Sequence, residues 1–403
     1  VSRERHPATS AARAGLGAPT SAEGVDLIAA PAVSSVRAYP DIDAVDAGMD
    51  TRDAYRRYGN ESVRLLEEAI AGLETPSGMA TVSARATSSG QAALSLALTL
   101  LSTPARRRVV VVRPCYGGTD ALVAGPLGNL GVRLTAVDLP ANGAPDHAAL
   151  VAPHLAGDVM AVVVEVITNP LMYVIDIPAI AAACHTAGVS CVVDATLATP
   201  FLFRPFAHGA DLVFHSLTKH LSGHSDVLGG VLMVHPDHEA AAWLDPFARL
   251  VGTALGPFDA WLSLRGLRTA ELRVQRSSQN AQALVTFFAA RPEVVASFYP
   301  GRRGPDEEAR AQRLLPLGRG PMLSVDVGSR DRANEFIRNL DGVRLAPSLG
   351  DVATTVSHPA STSHRSLTPQ QQAALGITPG LVRVSAGIEH LDDLREEFDA
   401  ALR

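Results

Sequence analysis

A lysine set between small hydroxyl residues is the feature with the clearest chemical consequence: His215 to Gly230 reads HSLTKHLSGHSDVLGG, with Ser216 and Thr218 beside Lys219. The segment follows an apolar run, so the lysine lies at the mouth of a strand. An ammonium there is partly desolvated and near other donors, which lowers its pKa and frees the amine as a nucleophile. The two hydroxyls could hold a phosphate beside that amine. Read alone, Lys219 could also be a surface lysine in a glycine-rich turn. Asp194, in VVDATLATP, ends a second buried apolar run. A carboxylate there is costly to ionise without a cationic partner. A protonated pyridine nitrogen would be such a partner, although capping of the following turn fits the same pattern. In TSSGQAALSLAL, Ser89 and Gly90 open a helix whose free N–H groups and dipole suit an anion, with glycine allowing close approach. An ordinary cap has the same form. Tyr116, in RPCYGGT, follows a further run, so its ring can lie over a flat cofactor or pack at a turn.

These residues require elements that bring strand ends together. Apolar runs at Val109–Val112, Val162–Val166, Val189–Val193, Leu212–Phe214 and Val231–Val234 read as buried strands. Alanine-rich helical stretches such as Ala92–Leu101 and Pro178–Ala187 lie between several of them. The alternation predicts an α/β fold with a mostly parallel central sheet covered on both faces. In such sheets ligands bind at the carboxyl ends of the strands, where Tyr116, Asp194 and Lys219 fall. An amphipathic helix is expected over Glu61–Glu74, a long helical segment over Phe258–Phe288, short strands at Met322–Val327 and Val382–Val384, and a closing helix at His390–Leu402. The expected organisation is an extended N-terminal arm over 1–62 that contacts a neighbouring subunit, a large cofactor-binding domain over 63–254, and a smaller α+β domain over 255–403.

The bulk properties narrow the class. With 403 residues, 47% hydrophobic and 19% charged, the chain has the profile of a globular enzyme. A formal charge of −6 argues against a general nucleic-acid binder, and the run Arg106, Arg107, Arg108 reads as a solvated lead-in to a strand. The three cysteines, Cys115, Cys184 and Cys191, form no CxxC pair, so neither a disulfide framework nor a zinc knuckle is expected. No run is long enough to span a membrane, and the N-terminal segment lacks the apolar core of a secretory signal. The expectation is a cytoplasmic protein.

Taken together and in order, the segments resemble the pyridoxal-phosphate enzymes of cysteine and methionine metabolism, which include cystathionine γ-synthase, cystathionine γ-lyase, methionine γ-lyase and the O-acylhomoserine sulfhydrylases. The resemblance runs from about Thr9 to Leu402, and the lysine segment with GHSDVLGG behind it is its most specific part. It implies fold type I, the aspartate-aminotransferase-like architecture, with pyridoxal 5′-phosphate held as a Schiff base on Lys219. By the same resemblance Asp194 is the pyridinium partner and Tyr116 stacks on the ring. Ser89, Gly90, Gln91, Ser216 and Thr218 hold the phosphate, and Asn169, in EVITNP, lies near the phenolic oxygen. Tyr55 and Arg57, in AYRRYGN, match a pair that reaches the phosphate of a neighbouring subunit, which implies a dimer of active sites, usually doubled into a tetramer. Arg383, in LVRVSAGIE, matches the arginine that binds the substrate carboxylate, and Ser348, in APSLGD, lies in the loop that helps to place it. His358 and His364, in SHPASTSH, match loop or pocket-lining positions. His220 and His224 stand at i,i+4 spacing, but no metal is expected.

The implied activity is elimination or replacement at the β- or γ-carbon of an L-amino acid carrying a side-chain leaving group. The alternatives are an aminotransferase or decarboxylase on the same fold, or a non-catalytic relative that binds the cofactor. Departures from the family pattern gather around the substrate pocket: Gln91 for methionine, Ala195 for asparagine, Glu61 and Ser62 for Pro-Thr, and Pro347 where some lyases have glutamate. DVATT at 351–355 replaces the common pattern, and Gly118 stands where methionine γ-lyases often have a reactive cysteine. They imply a shifted substrate or leaving group, in a specialised pathway.

Overall fold

The computed structural model describes residues 6–16, 26–50, 54–140 and 146–403. Seven strands form the larger sheet: β1 (Ser83–Thr87), β2 (Arg108–Arg113), β3 (Arg133–Asp138), β4 (Val159–Glu165), β5 (Ser190–Asp194), β6 (Leu212–Ser216) and β7 (Gly230–Val234). Their spatial order is β1-β7-β6-β5-β4-β2-β3. Only β7 runs against its neighbours β1 and β6; the remaining pairs are parallel. The mostly parallel sheet expected from the apolar runs is therefore present.

Continuous apolar runs form β2, β4, β5, β6 and β7 because both faces are covered. Along β4, Val162 and Val164 join one apolar cluster while Ala161 and Val163 join the cluster on the other face. The helix Gly90–Leu101 covers one face, and the helices Glu61–Glu74 and Ile177–Ala187 cover the other. Across that second face the buried side chains of His215 and Glu74 meet at 2.6 Å, tying β6 to the Glu61–Glu74 helix.

Five further strands, β8 (Ala296–Phe298), β9 (Met322–Asp326), β10 (Arg344–Leu345), β11 (Thr355–Ser357) and β12 (Leu381–Ser385), make a second sheet in the order β10-β11-β12-β9-β8. Its core holds an aromatic cluster among aliphatic side chains: Phe288, Phe336 and Phe398 pack together, with centroids 5.0 Å apart for Phe288 and Phe398.

Two details differ from the sequence expectations. The helical segment at Phe258–Phe288 is two helices, Pro257–Leu267 and Ala270–Ala289. The break follows Gly266, where a Cβ would lie 2.3 Å from the Ser222 carbonyl oxygen, so the chain passes directly over the lysine loop. The first of these helices packs on Glu61–Glu74, within the core of the larger sheet. Residues 1–62 are also not extended throughout: short helices occupy Pro7–Ala12 and Ile42–Met49. No helix among the described residues is long and apolar enough to cross a membrane.

Candidate active site

The carboxyl ends of β2, β4, β5 and β6 open into a cavity of about 520 Å³ lined by Ser89, Gly90, Gln91, Tyr116, Asn169, Asp194, Ser216, Thr218, Lys219, Ser348 and Arg383. Eleven of the residues singled out in the sequence thus meet at one place. Each arrives by simple local structure. Asp194 is the last residue of β5, Tyr116 caps the helix that follows β2, and Ser89 caps Gly90–Leu101 by accepting from Ala92 N at 3.0 Å.

Close packing at this cradle depends on glycine. A Cβ on Gly90 would come within 3.0 Å of Ser216 Cβ, and one on Gly230 would lie 2.2 Å from the Ser89 carbonyl oxygen. The N-terminus of the helix is thereby pressed against the end of β6, beside the lysine.

Lys219 is largely buried, and burial followed by the Arg383 charge draws its pKa down to about 8. Its Nζ donates to Ser348 Oγ at 2.8 Å. Arg383, on β12, is 4% exposed; it donates from Nη1 to Asn169 Oδ1 at 2.9 Å and from Nη2 to the Ser348 carbonyl at 3.1 Å. Ser348 therefore joins the amine and the guanidinium, and Asn169 is tied to the guanidinium as well. Burial lowers the Arg383 pKa to about 10 and leaves its Nε without a partner.

Asp194 receives the Thr196 N–H at 2.9 Å, and Thr196 Oγ1 accepts from Ser216 N at 2.9 Å. Burial raises the Asp194 pKa, the expected cost of a carboxylate that has no cation of its own. The Thr218 hydroxyl exchanges hydrogen bonds with Gly229, accepting from its N at 3.1 Å and donating to its carbonyl at 3.3 Å. Gln91 donates from Nε2 to the Gly118 carbonyl at 2.6 Å, and a Cβ at Gly118 would lie 2.5 Å from that nitrogen and 2.4 Å from the Tyr116 ring. The amide thus takes the space that a side chain at 118 would need.

Three of the sequence's residues stand apart from this cavity or in its walls. Tyr55 and Arg57 do not line it: Arg57 Nη1 donates to the Arg249 carbonyl at 2.6 Å, and its guanidinium lies 5.4 Å from the Tyr55 ring centroid. His364 is buried in the wall, with Nε2 at 2.8 Å from the Cys115 carbonyl. Among the described residues no three His, Cys, Asp or Glu side chains gather in a metal-binding arrangement.

Two functional residues escaped the sequence reading. Glu165, at the end of β4, is 6% exposed and stands beside Asp194 in the parallel register. Its two oxygens accept from Tyr116 N at 2.6 Å and Asn169 N at 2.8 Å. Burial and then the neighbouring Asp194 push its pKa well up, opposed by those two N–H groups and by Arg383. The signal was an acidic residue inside a valine run, which survives burial only with partners. Arg273, buried in the Ala270–Ala289 helix, donates to the carbonyls of His220 at 2.7 Å, Leu221 at 3.1 Å and Gly266 at 2.6 Å, fixing the chain just after Lys219. A lone arginine in a long polar helix gives no such signal.

The site fits pyridoxal phosphate on its own chemistry: a desolvated amine, a half-buried carboxylate wanting a cation, a glycine-lined helix N-terminus for a phosphate, and a tyrosine at the mouth. With the sheet order, these define a pyridoxal-phosphate enzyme of fold type I. The family of Cys/Met metabolism PLP-dependent enzymes matches residues 18–403, and the chain belongs to it. The cystathionine γ-lyase of Bacillus subtilis is 37% identical over 88% of this chain and 90% of its own. The L-methionine γ-lyase of Porphyromonas gingivalis is 36% identical, over 86% and 84%. Among solved structures, cystathionine γ-synthase from Xanthomonas oryzae pv. oryzae in complex with cystathionine superposes with a TM-score of 0.88 at 33% identity, covering 99% of this chain and 98% of that one.

Proposed function

We propose that the chain removes or replaces a leaving group on the β- or γ-carbon of an L-amino acid, with Lys219 as the residue that binds the cofactor and moves protons. Pyridoxal phosphate, when bound, would supply an electrophilic carbonyl for the substrate's amino group and a ring that draws electron density from Cα. Asp194 would keep the ring nitrogen protonated, and a cation there would offset the desolvation that raises the Asp194 pKa. The helix N-terminus at Ser89 and Gly90, with Ser216 and Thr218, holds the phosphate, and Tyr116 covers the ring. Arg383 grips the α-carboxylate through its planar fork.

Lys219 Nζ, once free, takes the Cα proton; for a γ-leaving group it hands that proton on, then takes a second from Cβ, and the group leaves with its bonding pair. A nucleophile adding at the γ-carbon gives replacement, and addition of water to the unsaturated product gives a 2-oxo acid and ammonia.

The observation that carries this reading is the bridge through Ser348, which accepts from Lys219 Nζ at 2.8 Å and from Arg383 at 3.1 Å. A carboxylate grip and a proton-transfer amine thereby face one cavity. We further propose that two copies complete each other's sites, with Tyr55 and Arg57 reaching the partner's phosphate group. Changing Lys219 to Ala is the direct test: turnover and the covalent cofactor adduct both disappear, whereas full activity in that variant would refute the assignment.

A further inference from the structure

Among the charged side chains that line the cavity, Lys219, Arg383 and Arg365 are cationic and Glu165 and Asp194 anionic. Four have partners or work: Glu165 holds two backbone N–H groups, Asp194 faces the ring nitrogen, Lys219 serves proton transfer and Arg383 the α-carboxylate. Arg365 has none. Its guanidinium is exposed at the cavity and makes no hydrogen bond or ion pair among the described residues.

The loop that presents it is anchored far more firmly than an idle surface turn requires. His358 contacts Ser361 Oγ at 2.8 Å through Nδ1 and the Pro379 carbonyl at 2.9 Å through Nε2. His364 is 1% exposed, with burial holding its pKa down to about 4, so the neutral ring donates from Nε2 to the Cys115 carbonyl at 2.8 Å. Gln372 Nε2 donates to the His364 carbonyl at 3.0 Å. The Ser363 carbonyl oxygen lies so near Gly117 that a Cβ there would be 1.9 Å away, which keys the loop to the turn carrying Tyr116. Thr119 and Thr362 line the cavity with Arg365.

We propose that Arg365 is the distal subsite of the cavity and receives a carboxylate at the far end of the substrate, on the departing group or on the incoming nucleophile. A guanidinium on a firmly anchored loop, with no internal anion, is suited to bidentate capture of a carboxylate. This inference rests on the reading that Arg383 takes the α-carboxylate, which leaves Arg365 for a second anion.

The test uses holoenzyme titrated with L-2-aminoadipate and L-norleucine, which share a carbon skeleton and differ in the terminal carboxylate, followed by the cofactor's absorbance. Aminoadipate binds about tenfold or more tightly, Arg365→Gln abolishes the difference, and Arg365→Lys keeps part of it. Equal affinities in the unmodified enzyme, or a difference untouched by Arg365→Gln, overturn the subsite. If neither ligand perturbs the cofactor, the amino-acid site itself is refuted and the subsite with it. Turnover then separates the two sources. A preference for O-succinyl- over O-acetyl-L-homoserine that Arg365→Gln removes puts the carboxylate on the leaving group. A preference for L-cysteine over a neutral thiol that it removes puts it on the nucleophile, and a preference in neither overturns the proposal.

Discussion

The Lys219 amine has its pKa lowered to about 8, by burial first and by the Arg383 charge second, so the free amine forms as pH rises through that value. In apoprotein the rate of pyridoxal-phosphate capture therefore climbs with pH to a midpoint near 8. In Arg383→Met one of the two causes of the depression is gone, and the midpoint moves upward; an unchanged midpoint would show that the two groups are uncoupled. Glu165 makes a separate prediction. Glu165→Gln keeps one carbonyl acceptor but turns an NH₂ towards Tyr116 N or Asn169 N, leaving a buried donor unpaired at a cost of ~1–3 kcal/mol. We expect kcat/KM to fall about tenfold or more, with a shifted cofactor absorbance band; a variant normal in both would contradict the positioning role. Lys219, Asp194 and Tyr116 were legible because each ends or follows an apolar run. Glu165 was hidden by being inside one, and its role depends on a register with β5 that spacing does not reveal.

At the scale of elements, the apolar runs announced β2, β4, β5, β6 and β7. The strand β1, SARAT, was not apparent because small residues and a buried Arg85 replace the apolar run. Arg85 is held by Asp245 at 3.0 Å, a partner remote in sequence. The edge strand β3, RLTAVD, has an exposed end and only one neighbour, so its pattern is weak. The split of the long helix at Arg268 and Thr269 answers to the lysine loop beneath Gly266, a tertiary demand that the sequence marks only by that glycine. Where β7, β6 and the helix from Gly90 converge, Gly230→Ala places a methyl on the Ser89 carbonyl. The expected result is loss of cofactor affinity by tenfold or more, read by equilibrium dialysis, from about 1.4 kcal/mol or more of displaced backbone; unchanged affinity would mean that the cradle is not tightly set.

For the molecule as a whole, the two sheets contribute opposite ends of one site: β5 and β6 supply Asp194 and Lys219, while β12 supplies Arg383. Tyr55, 43% exposed, and Arg57 remain outside that site within the single chain, which fits the proposed sharing between copies. Co-expression of Lys219→Ala with Arg57→Met should therefore restore activity, since a mixed dimer regenerates one native site. Random pairing yields about a quarter of the sites, and no recovery above the two single variants would contradict a shared site. The expectation of sharing came from likeness in the AYRRYGN segment, since a partner's contribution leaves no periodicity in a sequence.

The central claim is loss or exchange of a side-chain group from an amino acid, and product mass spectrometry on β- and γ-substituted L-amino acids tests it most directly. The reactions are run in deuterated water with and without added thiol. We predict deuterium at Cα together with release of the side-chain group, as a 2-oxo acid regardless of thiol or as a thioether amino acid when thiol is present. Neither exchange nor release with any substrate, from protein that carries its cofactor, would contradict the claim.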